Sequence, residues 1–153
     1  MEYDQKKPLI LIVDDNSVSI RMLVHVLKKK DYELAISRNG SQALDMLEDI
    51  RPDLILLDIM MPDLDGFKVC RTLKDNPRTK EIPIIFLTAK EETEDLVQAF
   101  ELGAVDYVTK PFNGLELLAR VQTHLDLKFA RDTQKELLIK LEENLKEIKE
   151  KNE

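Results

Sequence analysis

Tryptophan is absent, cysteine occurs once, and no apolar run approaches the length of a bilayer. The lone thiol, Cys70, excludes an internal disulfide framework and suits a reducing compartment, so a cytoplasmic location is expected. A membrane span needs roughly 20 consecutive apolar residues. The run Leu9–Val13 stops after five, at Asp14 and Asp15, and the same acids interrupt any secretion-signal pattern in MEYDQKKPLILIVDD. With one cysteine and two histidines there is no His/Cys cluster for zinc. A basic surplus is also missing. The net charge is −7, all of it carried by residues 1–126, while residues 127–153 hold seven basic and seven acidic side chains. Acidic surfaces do not displace counterions from nucleic acid or gather on anionic lipid, so neither DNA nor a membrane is expected as a partner.

What remains is 43% hydrophobic and 35% charged over 153 residues, enough for one domain of about 120 residues and an appendage. Short apolar runs alternate with helical spacing. Leu9–Val13 reads as a buried strand, and Ser17–Lys30 as a helix spaced through Val18, Met22 and Val26 with a cationic end at Lys28–Lys30. Glu33–Ser37 is a weaker strand, followed by a helix over Gly40–Ile50 with Ala43, Leu44 and Leu47 on one side. Leu54–Leu57 and Ile82–Leu87 are further strands, the latter with Pro83 at its start, and Phe67–Lys74 is a short helix between them. Glu91–Leu102 reads as a helix stopped by Gly103, and Val105–Val108 as a half-polar fifth strand. Five strand–helix units in series predict an α/β fold with a parallel sheet covered on both faces.

From Gly114 the spacing predicts helix to the end. Gly114–Lys151 would reach about 55 Å, longer than a domain this size. Leu115, Leu118, Val121 and Leu125 can pack on the sheet. Farther on, Leu138, Leu141, Leu145 and Ile148 follow 3–4–3 spacing, and Asn152 falls in the same frame. Glu136–Lys140, Glu142–Lys146 and Glu147–Lys151 are possible i,i+4 pairs. Residues 1–127 therefore read as a domain and 128–153 as an extended helix, a coiled-coil linker or dimerisation arm that makes a homodimer the expected assembly; a solvated single helix is the plainer alternative.

The polar residues with chemistry follow strands. Asp14 and Asp15 come after the first, Asp58 after the third, Thr88 after the fourth and Lys110 after the fifth. In a doubly wound sheet of order 2-1-3-4-5, strands one and three meet where strand order reverses, the place where ligands bind. Three carboxylates gathered there need a cation, and a few hard oxygen ligands suit Mg²⁺. A carboxylate beside an ammonium and a hydroxyl can attack phosphorus to form an acyl phosphate, with Lys110 and the metal offsetting charge on the phosphoryl oxygens.

Val13-Asp14-Asp15-Asn16, the run Asp58 to Gly66, Leu87-Thr88-Ala89 and the run Gly103 to Phe112 together resemble the signature blocks of two-component response-regulator receivers, over about residues 8–127. Each block alone is weak; four in order, each after a predicted strand, are specific. The resemblance, closest to chemotaxis-type receivers, implies a flavodoxin-like fold and transfer of phosphate from a histidine kinase or phosphotransfer protein to Asp58, with slow self-catalysed loss. It implies that Asp15, Asp58 and the backbone carbonyl of Met60 bind Mg²⁺ directly and Asp14 through a water. It further implies that Lys110 pairs with the phosphate, that Thr88 and Tyr107 form the switch, and that Lys110–Pro111 is cis. Met60 and Lys90 occupy positions that tune phosphate lifetime in such proteins.

Plainer roles are expected elsewhere: loop solvation for Asp63, turn and capping for Asp65–Gly66, packing for Cys70, and ordinary helix positions for His25 and His124, with neither acidic partners nor metal-ligand spacing. Two other functions share some ingredients. A phosphatase of the haloacid-dehalogenase type would place its nucleophile and second acid two residues apart after one strand. A flavodoxin-like electron carrier would need a Ser/Thr-rich phosphate loop where Asp14-Asp15-Asn16 stands. The long helix leads to the expectation that an effector follows Glu153 in a longer protein.

Overall fold

A computed structural model describes residues 7–89 and 93–152. Its elements run β1 (Leu9–Val13), α1 (Ser17–Leu27), β2 (Glu33–Ser37), α2 (Gly40–Met46), β3 (Leu54–Asp58), α3 (Gly66–Lys74), β4 (Ile84–Thr88), α4 (Thr93–Glu101), β5 (Asp106–Thr109) and α5 (Gly114–Lys151). All neighbouring strands are parallel, in the order β2-β1-β3-β4-β5, as the sequence predicts.

Alternation along the central strands builds two cores. Leu11, Val13, Ile55, Leu57, Ile84 and Phe86 face one way, against Ala43, Val69 and Leu73 of α2 and α3. Ile10, Ile12, Leu54, Leu56, Ile85 and Leu87 face the other, against Leu23 and Leu27 of α1 and Leu117, Val121 and Leu125 of α5. Because β1, β3 and β4 are covered on both faces, their sequences are continuous apolar runs rather than alternating ones.

Several details depart from expectation. The buried stripe of α1 is Ile20, Leu23, Val26 and Leu27, whereas Val18 and Met22 are exposed. The former set puts four residues against the sheet over about two turns, and Asn16 starts the helix by capping the Val18 and Ser19 N–H groups at 2.9 and 3.1 Å. In α5, Leu117 rather than Leu115 meets the core, since 117, 121 and 125 repeat every four residues. Strand β4 starts at Ile84, one residue beyond Pro83, whose missing N–H cannot join the ladder. Helix α2 ends at Met46 and continues only as turns to Ile50. Gly103 has φ of 104°, the left-handed conformation expected of the residue that stops α4, while Lys90 and Glu91 lie outside the described residues.

Helix α5 has 38 residues and extends far beyond the sheet. The overhang is fastened at its root. Lys128 bonds Asp53 at 2.9 Å and Asp132 at 3.0 Å, and Lys135 bonds Glu81 from the segment before β4. Beyond Lys135, Leu138, Leu141, Leu145 and Ile148 are each more than half exposed. None of the three i,i+4 pairs anticipated there closes to ion-pair distance among the described residues; fully solvated Glu and Lys side chains gain little by doing so.

Candidate functional site

The C-terminal ends of β1, β3 and β5 converge. Asp14 leaves β1 buried, Asp15 follows it exposed, and Asp58 closes β3 at 4% exposure. One carboxylate oxygen from each lies within 4.8 Å of the others. Lys110, in the turn after β5, places Nζ 3.0 Å from Asp14 Oδ2 and 3.3 Å from Asp58 Oδ2. The Lys110–Pro111 peptide is cis, as anticipated.

Backbone groups set the acids in place. Asp14 Oδ1 accepts from Asn16 N–H at 2.9 Å, while Asn16 caps α1, so the first acid and the helix start form one turn. Asp58 Oδ1 accepts from Met60 N–H at 3.3 Å. The turn after Asp58 is closed by Gly66 N–H on Ile59 carbonyl at 2.9 Å, and Asp65 caps α3 through Lys68 N–H at 2.9 Å. Asp63 is more than a solvated loop residue. Its oxygens accept from Gly40 and Ser41 N–H groups at 3.2 and 3.1 Å, tying this loop to the start of α2, and those bonds, Ser41 foremost, hold its carboxyl down at about 2.

Electrostatics at the cluster are unfavourable without a cation. Burial first, then the Asp14 charge, push the Asp58 carboxyl up to about 6 against the opposing pull of Lys110. Asp14 Oδ2 is buried and receives no hydrogen bond, since Lys110 Nζ lies within ion-pair range but off the bonding direction. Three hard oxygens in one pocket, one of them a buried acceptor with no donor, fit a divalent cation that prefers oxygen ligands.

The remaining candidates are arranged around this cluster rather than in it. Thr88 ends β4, the strand beside β3, and is buried. Met60 is 74% exposed, and Met61 packs into the core. Tyr107 lies within β5 and is half-buried, its ring 6.1 Å edge-on from Phe100 and beneath the Arg120 guanidinium at 5.8 Å. Cys70 is buried, with burial raising its thiol, and His25 is exposed on α1.

One cluster was not foreseen. His124 Nε2 sits 3.0 Å from Asp106 Oδ2, and the other Asp106 oxygen takes Arg120, so His124 does have an acidic partner. The signal was present in α5 as Glu116, Arg120, His124 and Lys128, a polar stripe every four residues beside the apolar one.

A family model described as the response regulator receiver domain matches residues 10–122. The response regulator PleD of Caulobacter vibrioides is 43% identical over 123 residues, which cover 80% of this chain and 27% of PleD. The chain spans between about a quarter and about half of the length of the curated relatives it matches. A crystal structure of a putative response regulator from Chloroflexus aurantiacus superposes with TM-score 0.77 at 36% identity, over 79% of this chain and 99% of that one. The Mn²⁺-bound form of response regulator Rcp1 does so with TM-score 0.67 at 36% identity, over 76% and 90%.

Proposed function

This chain belongs to the family of response regulator receiver domains, and on that premise we propose that Asp58 accepts a phosphoryl group in a Mg²⁺-dependent reaction. The observation that carries the proposal is the convergence of Asp14, Asp15 and Asp58 within 4.8 Å beside the Lys110 ammonium.

Receivers are phosphoacceptor switches that work with histidine kinases or phosphotransfer proteins. The donor here would be a phosphohistidine on such a partner. A carboxylate oxygen of Asp58 attacks phosphorus; the O–P bond forms as the N–P bond breaks, and the imidazole nitrogen keeps the electron pair. Lys110, already 3.3 Å from Asp58 Oδ2, sits where it can meet the incoming phosphoryl oxygens. Asp15, Asp58 and the Met60 backbone carbonyl would hold Mg²⁺ directly and Asp14 through a water. The bound ion supplies neutralisation of charge on the transferring group. Val18, two residues after the Asn16 cap, and Met60, two residues after Asp58, are exposed and offer apolar surface to the donor.

The phospho-state is slowly lost by hydrolysis and is read out structurally. Thr88 engages the phosphoryl group, Tyr107 turns inward, and the β5–α5 face changes. Residues 1–127 form the receiver and 128–153 an arm that pairs with a second copy through Leu138, Leu141, Leu145 and Ile148. The setting is cytoplasmic; no helix among the described residues is long and apolar enough to cross a membrane.

The test is direct phosphorylation. Protein incubated with Mg²⁺ and acetyl phosphate should gain one phosphoryl group, mapped to Asp58 and absent in Asp58→Asn or with EDTA. No gain in mass at Asp58, or rapid turnover of an added phosphomonoester, would sink the reading.

A further inference from the structure

At the opposite, N-terminal end of the sheet, the root of the α5 overhang passes the segments that precede β3 and β4. Between them lies a cavity of about 310 Å³. Arg51, Arg78 and Arg131 border it, and Pro52, Pro77 and Ile82 give it apolar walls. Five cationic side chains and three carboxylates line this space, a positive surplus of two in a chain of net charge −7.

Those carboxylates are already occupied. Asp53 bonds Lys128 and also accepts Leu9 N–H at 2.8 Å; Asp132 bonds Lys128, and Glu81 bonds Lys135. The three guanidiniums make no ion pair with a carboxylate among the described residues. Among the described residues the Arg78 guanidinium donates to the Glu48 carbonyl at 3.3 Å, a neutral partner that leaves its charge uncompensated. Like charges held around a concavity repel one another, and an anion placed among them relieves that repulsion. The planar guanidinium fork matches phosphate oxygens in two-point hydrogen bonding. A space of this size falls at the lower end of small-molecule sites.

We propose that this cavity binds a phosphate-bearing small molecule, its phosphate held by Arg51, Arg78 and Arg131 and its carbon portion against Pro52, Pro77 and Ile82. The site is separate from Asp58 and stands without the phosphoacceptor reading. Because one wall is α5, a bound ligand also braces the root of the arm against the receiver.

Backbone amide spectra of the whole chain, kept free of magnesium and titrated with pyrophosphate, test it. Saturable shifts are expected at Arg51, Arg78 and Arg131. Arg131→Ala, a change well tolerated on an exposed helix surface, should weaken binding roughly tenfold, as loss of one charge-assisted contact does; Arg51→Gln should act similarly, and Asp58→Asn, at the other end of the sheet, should leave the affinity at this cavity as it is. Shifts that never saturate, affinity unchanged from the parent in both arginine variants, or shifts confined to the Lys110 end of the sheet would overturn the proposal.

Discussion

Asp106 of β5 holds His124 of α5 across 3.0 Å, carboxylate oxygen to ring nitrogen. Its second oxygen takes Arg120, which in turn lies over the Tyr107 ring at 5.8 Å. The strand carrying the proposed switch aromatic is thus joined to the helix that becomes the arm. Any inward movement of Tyr107 must be felt by Arg120, and through it by α5.

That link is expected to stabilise the fold in a pH-dependent way. Burial would raise the Asp106 carboxyl, yet hydrogen bonds from Arg120, His124 and Tyr107 N–H, with the Arg120 charge, hold it below its ordinary range. A carboxyl depressed in the folded state contributes stability above its unfolded value, and that contribution disappears as pH falls through the folded one. Asp106→Asn should cost about 1–2 kcal/mol at neutral pH, a figure reduced for the solvent screening of partly exposed Arg120. In urea unfolding, the gap between variant and parent should close below about pH 4. A gap that is constant from pH 7 to 3 would refute the assignment.

The acidic cluster gives the opposite sign. With Asp58 raised to about 6 by burial and by Asp14, its ionised form is a cost to the metal-free fold at pH 7.5. Asp58→Asn removes the charge with little change of shape, so the variant should be more stable than the parent by about 1–3 kcal/mol without metal. Saturating Mg²⁺, at about 100 times its Kd, should add about 2.7 kcal/mol to the parent and far less to the variant. Thermal unfolding with and without Mg²⁺ measures both. A parent insensitive to Mg²⁺ would remove the cation from the site.

The arm prediction concerns association. Leu141 and Leu145 are 53% and 57% exposed in the single chain. Burying such a side chain contributes about 1.5–3 kcal/mol, so Leu145→Glu should weaken self-association at least about tenfold in sedimentation. Phosphorylation of Asp58 should be unaffected, because the change lies far beyond the receiver. Unchanged sedimentation would leave the stripe without a second copy as its partner.

The β-sheet was legible because period and run length differ sharply between buried parallel strands and amphipathic helices. Leu9–Val13 and Glu33–Ser37 are placed to the residue, and the doubly wound order 2-1-3-4-5 brings the strands that end in Asp14 and Asp58 side by side, as expected. Helix rotation was less legible. Val18 and Met22 have the right spacing for a core stripe, but Ile20, Leu23 and Leu27 have it too and bury more apolar surface. The choice is made by the Asn16 cap and by packing, neither of which spacing encodes. Contacts between distant polar residues, such as Asp106 with His124 or Asp53 with Lys128, depend on how α5 lies across the sheet. One chain's sequence carries the partners but not their meeting.

Gly66 offers the strictest geometric test of how the acceptor is held. A Cβ built there would lie 2.3 Å from the Asp58 backbone oxygen and 2.9 Å from Ile59 Cα, so the obstacle is main chain and cannot swing aside. The same residue donates its N–H to Ile59 carbonyl and begins α3 under the Asp65 cap. Gly66→Ala must therefore push α3 away from β3 or shift Asp58 itself. Overpacking against rigid backbone costs about 1–3 kcal/mol or more, which urea unfolding should register. Displacing Asp58 should also slow acetyl-phosphate labelling in the fraction that remains folded, because Lys110 and the neighbouring acids keep their own anchors on β1 and β5. Asp63→Asn, by contrast, keeps an acceptor for only one of the Gly40 and Ser41 amides, a loss confined to the tie between this loop and α2. It should leave labelling nearly unchanged, and equal effects from the two substitutions would show that the loop as a whole, rather than the Gly66–Asp58 contact, positions the acceptor.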